Sequence, residues 1–140
     1  CFLNEFEIER ATGVVVRQKV GVNLVALQNA AGMLLRAGVR EYVVVHFPEG
    51  ACALGRDGRM RTQGRLCIPQ SRIVGTVGAG DAFAAGFLYG LHEGHPIETA
   101  LHYGICVATA CLCGAGSSDG ICHLEDCLKL EKEFGVRTFR

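Results

Sequence analysis

The sequence predicts an α/β fold, and three observations carry the prediction. Residues 22–38 place apolar side chains at helical spacing, an unbroken apolar run follows directly at residues 42–45, and a glycine-rich turn at residues 75–80 leads into a second apolar helical stretch. Helix-length and strand-length apolar segments in alternation describe helices laid on a sheet rather than an all-helical bundle.

The apolar run Cys1-Phe2-Leu3 reads as a strand, and Asn4-Glu5-Phe6-Glu7 as the start of a helix. Asn is a good N-cap, and acids in the first turn complement the helix dipole. Within residues 22–38, Leu24, Leu27, Ala31, Leu34 and Leu35 form one helix face, and Gly38 suits its C-terminal cap. Residues 42–45 follow as a buried strand. Residues 51–54 and 59–62 flank Gly55-Arg56-Asp57-Gly58, whose Asp-Gly pair signals a tight turn, so they form a hairpin with a charged tip facing water.

A helix starting at about Asp81 carries Ala82, Gly86 and Gly90 on one face and Phe83, Phe87 and Leu91 beside it. The small-residue face suits close packing on a sheet. Gly94-His95-Pro96-Ile97 breaks this helix, with Pro96 expected in the first turn of the next. Ile97, Leu101, Gly104, Ile105, Ala108 and Leu112 then keep helical period. Residues 114–120 read as a flexible loop and residues 124–134 as a last helix of mixed charge. The chain shows no repeat, low-complexity segment or linker.

With 49% hydrophobic residues in 140, the chain has ample core material and is no disordered tail. Fourteen basic residues balance fourteen acidic ones, and no basic run interleaved with aromatics points to nucleic acid. No apolar stretch reaches the roughly 18 residues of a membrane span, and no basic segment precedes an apolar one at the N-terminus. These features predict a cytoplasmic protein with neither a nucleic-acid nor a membrane partner. The eight cysteines include no C-x-x-C pair. Without a secretory signal they predict small buried thiols rather than a disulfide framework, the alternative being a zinc site of Cys122, His123 and Cys127 with another ligand.

The segment Gly75-Thr76-Val77-Gly78-Ala79-Gly80-Asp81 carries the chemistry. A glycine-rich turn at a helix start aims backbone N–H groups at an anion, and the helix dipole adds positive potential there. A carboxylate in that place repels the anion, so Asp81 makes better sense as a base that takes a proton from an attacking hydroxyl. The plainer reading is a first-turn acid complementing the dipole. A dinucleotide-binding turn is disfavoured, because no G-x-G-x-x-G follows a strand.

The string GTVGAGDAFAAGF resembles the second signature of the PfkB, or ribokinase-like, carbohydrate kinases, written D-T-x-G-A-G-D, and matches five of its six defined positions. Asn4-Glu5-Phe6-Glu7 is similar to that family's N-x-x-E motif. The resemblance implies a ribokinase-like three-layer α/β/α sandwich, of which residues 1–140 would be the carboxy-terminal nucleotide- and phosphate-binding part, with no second domain. It implies an ATP-dependent kinase for a hydroxyl of a sugar or sugar-like alcohol. Asp81 would be the catalytic base and Gly78, Ala79 and Gly80 the anion hole. Thr76, Asn4 and Gly50 would serve nucleotide binding, and Glu7 would act through water on Mg²⁺. His102, Tyr103 and residues 117–119 fall in regions near the purine. Lid-sheet homodimers occur in such a family.

The sequence departs from the family pattern in two places. Gly75 stands where an Asp commonly organises a monovalent-cation site, which puts K⁺ activation in doubt. Where the family reads T-x-G-x-x-G, this chain has Val45-His46-Phe47-Pro48-Glu49-Gly50, so only Gly50 matches. His46 would be a substitute donor or simply a strand-end histidine. The rival readings are a nucleoside kinase of the same family and a nucleotide-binding regulatory relative that transfers no phosphate.

Overall fold

The computed structural model describes residues 1–138 and divides into two compact units, Cys1–Thr62 and Gln63–Arg140. In the first unit, β1 (Phe2–Asn4) leads into α1 (Glu5–Thr12) and α2 (Leu24–Arg36), and the chain returns to the sheet as β2 (Tyr42–Phe47). β1 and β2 are parallel, with Phe2, Leu3 and Asn4 opposite Val44, Val45 and His46. Parallel neighbours need a crossover connection, which the two helices provide. β3 (Gly50–Gly55) folds back antiparallel on β2, and β4 (Met60–Gly64) completes the order β1-β2-β3-β4.

The end of α2 moves the cap one residue from the reading of Gly38, which follows the cap instead. Ala37 caps the helix, Gly38 takes φ +123°, the Gly38 N–H donates to Leu35 O and the Val39 N–H to Leu34 O at 3.1 Å. That double bond pattern satisfies carbonyls at the helix end and needs a residue that tolerates positive φ. Leu27, Ala30 and Ala31 are the buried face, joining Ile8, Val16 and residues 43–45 in the core. The Asp57-Gly58 hairpin is also present, with Gly58 at φ +73°. A second hairpin was not expected: β2 runs through Phe47, and Pro48 and Glu49 alone turn it into β3.

The second unit is built on α3 (Ala79–His92), α4 (Ile97–Leu112) and α5 (Leu124–Phe134), after a 3₁₀ turn at Gln70–Arg72. Three expectations are corrected here. α3 begins at Ala79 rather than Asp81, with Gly78 as N-cap, and Pro96 is the N-cap of α4 rather than a residue of its first turn. The small-residue face of α3, read from the sequence as suited to a sheet, packs on α4. A Cβ on Gly86 would lie 2.8 Å from Tyr103 O, one on Gly90 2.8 Å from Ala100 Cα, and one on Gly104 2.7 Å from the Phe83 ring. Glycine at these three positions lets the two helix backbones approach closely, while Phe83, Phe87 and Leu101 bury their side chains. α5 matches its expected bounds and docks on α4 through His102 and Glu131 at 3.1 Å. Past α5, Val136 bridges to Leu66 as a short antiparallel pair.

Candidate active site

The Gly-Ala-Gly-Asp run occupies the N-terminus of α3. Gly78 takes φ +83°, and its C=O accepts the first helical bond from the Ala82 N–H at 2.8 Å. The amides of Gly80 and Asp81 precede that bond, and neither meets an acceptor among the described residues. The Ala79 N–H makes only a long 3.4 Å bond to Thr76 O. Orphan amides at a helix start form an electropositive cradle for an anion. Asp81 is the third helical residue, and its carboxylate is exposed to solvent on the same turn.

The turn is held from behind by the loop after α4. A side chain on Gly78 would collide with the Ser117 carbonyl and lie 2.8 Å from Ser117 Cβ, so only glycine fits. Cys111 Sγ donates to Ser117 O at 3.2 Å and to Val77 O at 3.6 Å, tying loop and turn together. Burial pushes the Cys111 thiol up, and the Asp119 and Asp81 carboxylates add to the effect, so it stays a neutral donor. The Val74 N–H donates to Leu112 O at 2.8 Å. Gly75 packs against Gly114 O and Ala115 O, which a Cβ would approach to 2.9 and 3.1 Å. The Gly75 departure is therefore built into this backbone. Thr76 is exposed.

In the first unit, Asn4 and Glu7 form a reciprocal capping box. Asn4 Oδ1 accepts from the N–H of Phe6 at 3.0 Å and of Glu7 at 2.9 Å, while Glu7 Oε2 accepts from the Asn4 N–H at 2.7 Å. The capping role read from the sequence is thus present, and it leaves the Glu7 carboxylate exposed in a fixed position. His46 lies beside Asn4 in the ladder and pairs with Ala51, one residue short of the strand end. Gly50 is buried at φ +152° opposite Phe47, a conformation that the tight turn imposes.

Sequence reasoning missed the ion network behind this capping box. Glu5 is only 4% exposed. Arg17 reaches its carboxylate at 3.5 Å and grips both oxygens of Glu49 at 2.8 Å. Glu9 Oε1 accepts from the N–H groups of Val16 and Arg17 at 2.7 Å. Burial raises the Glu5 carboxyl pKa, and the Arg17 charge partly opposes the shift. Through Arg17, which lies 32 residues from Glu49 in sequence, the network joins the start of α1 to the Pro48-Glu49 turn, and no local pattern announces it.

His102 and Tyr103 belong to helix packing: His102 faces Glu131, and the Tyr103 ring meets His95 edge-on at 5.4 Å. Asp119 Oδ2 accepts from the Gly116 N–H at 2.9 Å and shapes the loop. Cys52, Cys106, Cys111 and Cys127 are buried as expected, whereas Cys1, Cys67 and Cys122 are exposed. Among the described residues no group of three or more His, Cys, Asp or Glu is placed to hold a metal ion, so the zinc alternative finds no support. A cavity of about 750 Å³ lined by Asn29, Gly32, Met33, Arg36, Leu54 and Arg56, among others, contains none of the expected site residues. No helix of the described residues is long and apolar enough to cross a membrane.

The fold is that of the ribokinase-like kinases. The chain is similar to Arabidopsis thaliana ribokinase complexed with ribose and ATP, at TM-score 0.79 and 26% identity over 94% of this chain and 40% of that one. Thermotoga maritima ribokinase shares the fold at TM-score 0.74 and 23% identity, over 94% and 41% of the two chains. In sequence the chain is 36% identical to 5-dehydro-2-deoxygluconokinase of Geobacillus thermodenitrificans over 83 residues, which are 59% of this chain and 24% of that protein. It is 40% identical to Mus musculus ketohexokinase over 73 residues, 52% of this chain and 24% of the relative. A family model described as pfkB family carbohydrate kinase matches residues 1–123, and the chain belongs to that family. It spans about a quarter of the length of these curated relatives and about two fifths of the solved chains.

Proposed function

We propose that this protein transfers the terminal phosphoryl group of ATP to a hydroxyl of a sugar or sugar-like alcohol. The observation that carries the reading is the α3 N-terminus, where the Gly80 and Asp81 amides have no acceptor among the described residues and the Asp81 carboxylate is exposed on the same turn. Asp81 takes the proton of the acceptor hydroxyl as its oxygen attacks the γ-phosphorus and the bond to the departing ADP breaks. The backbone amides of Gly78, Ala79 and Gly80 stabilise the charge on the transferring group. Asn4, Thr76 and Gly50 serve the nucleotide, Gly50 through its backbone.

The donor set suits Mg²⁺, which keeps most of its waters and needs few protein carboxylates. Glu7, exposed and held by its bond to the Asn4 N–H, would meet the ion through water. The ion's contribution is to neutralise phosphate charge. A sugar acceptor is supported by the relatives named ketohexokinase and 5-dehydro-2-deoxygluconokinase and by the ribokinase complexed with ribose and ATP. We place residues 1–140 in the nucleotide- and phosphate-binding part of the kinase domain.

A second reading, a regulatory relative that binds nucleotide without transfer, rests on β2. The strand runs unbroken through Val45 and buried Phe47, so neither the family's Thr hydroxyl nor its first glycine is offered there.

The test is Asp81→Asn. Loss of a general base is expected to lower kcat by about 10²–10⁴-fold, with ATP affinity close to that of the unsubstituted protein. Retained turnover removes Asp81 from the base role.

A further inference from the structure

The start of α5 is closed by two thiols. His123 is the N-cap, so Cys122 is the residue before the cap and Cys127 the fourth helical residue. A hydrophobic staple brings these two positions together, and here the Sγ atoms lie 3.6 Å apart. Access to them is unequal. Cys122 is exposed, while Cys127 is 0% exposed and its sulfur also lies 3.7 Å from Cys122 O. A disulfide requires sulfurs at about 2.0 Å, so closure asks for a shift of roughly 1.6 Å. Cys122 sits outside the helix, where its side-chain torsion is not restricted by a preceding helical turn.

We propose that Cys122 and Cys127 are a reversible dithiol–disulfide pair, oxidised by a peroxide or by exchange with a small disulfide. Cys122 meets the oxidant and Cys127 resolves it. With peroxide, the Cys122 thiolate attacks one oxygen, the O–O bond breaks, and hydroxide leaves to become water. The Cys127 sulfur then attacks the Cys122 sulfenyl sulfur, forming S–S and breaking S–O, and a second water departs with the Cys127 proton. Two electrons pass from the sulfurs to the peroxide. With a small disulfide, Cys122 displaces one thiol and Cys127 displaces the other. Burial excludes reagents from Cys127, so its reachable partner is the Cys122 sulfur.

The protein is treated with hydrogen peroxide or oxidised glutathione, its remaining thiols are alkylated, and it is mapped without reduction. Cleavage at Glu125 or Asp126 separates the two cysteines, so the disulfide appears as two joined peptides. The expected result is a Cys122–Cys127 link that dithiothreitol reverses, with alkylation of Cys122 falling several-fold and that of exposed Cys1 and Cys67 falling less. In Cys127→Ser the link is lost and Cys122 accumulates as sulfenic acid or its glutathione adduct. Equal accumulation of those forms in the unsubstituted protein, with no link, overturns the proposal. Cys122→Ser changes an exposed position and gives a second test: Cys127 is expected to stay unmodified in the native protein, and its modification by either reagent contradicts the assigned order.

Discussion

Replacing Gly78 by alanine tests the geometry of the phosphate turn through two separable costs. Gly78 holds φ +83°, where a non-glycine residue loses about 1–2 kcal/mol. The added Cβ also collides with the Ser117 carbonyl and comes to 2.8 Å from Ser117 Cβ and 2.9 Å from Ser117 Cα. Forcing atoms into a packed site costs about 1–3 kcal/mol, and because the obstacle is backbone it cannot swing aside. The expected loss is about 2–5 kcal/mol. Gly94 supplies the control: its φ is +74°, with nothing within 4 Å of a Cβ, so Gly94→Ala should lose only the conformational part, about 1–2 kcal/mol. Urea unfolding of both variants measures the difference directly. If Gly78→Ala proves no more destabilising than Gly94→Ala, the loop containing Ser117 does not buttress the turn and the account of Gly78 fails.

Asn4→Ala removes the oxygen that accepts two amides and unlocks Glu7, so about 1 kcal/mol of stability should be lost in thermal or urea unfolding; an unchanged midpoint refutes the capping role. Arg17→Gln leaves buried Glu5 without its cation. Glu5 already has a raised pKa, and a carboxyl raised on folding favours the native state below its unfolded value and loses that benefit as pH rises through the folded one. The variant should therefore be destabilised most at neutral pH and approach the parent protein as pH falls into the carboxylate range, as unfolding curves at several pH values will show. Because Gly75 brings no carboxylate and is pressed against Gly114 O and Ala115 O, exchanging K⁺ for Na⁺ should change turnover little. A large K⁺ stimulation in steady-state assays would contradict this.

What could be read from the sequence was local. α5 and the Asp57-Gly58 hairpin are set by neighbours a few residues apart, and α2 ends where the Gly38 and Val39 N–H groups donate to Leu35 O and Leu34 O. The Gly78–Asp81 turn and the Asn4–Glu7 box lie within single helix starts, so their residue types announced them. The start of α3 was missed by two positions because the Gly78-Ala79-Gly80 run has the look of loop rather than helix, glycine having low helix propensity, whereas the helix begins at Ala79. The Pro48-Glu49 turn was hidden because residues 45–50 read as a nucleotide-contacting strand end. The target of the Gly86 and Gly90 face needed the α3–α4 pairing, since a stripe of small residues suits a sheet or a helix equally well. The Arg17 grip on Glu49 depends on tertiary placement that charge pattern alone does not encode.

The central claim is phosphoryl transfer to a sugar hydroxyl, and the most direct measurement is ADP release by the protein with ATP and Mg²⁺ across a panel of sugars, sugar-like alcohols and nucleosides. The account predicts release that depends on a sugar or sugar-like acceptor and collapses in Asp81→Asn. Nucleotide binding without turnover on any acceptor, or turnover confined to nucleosides, would contradict it.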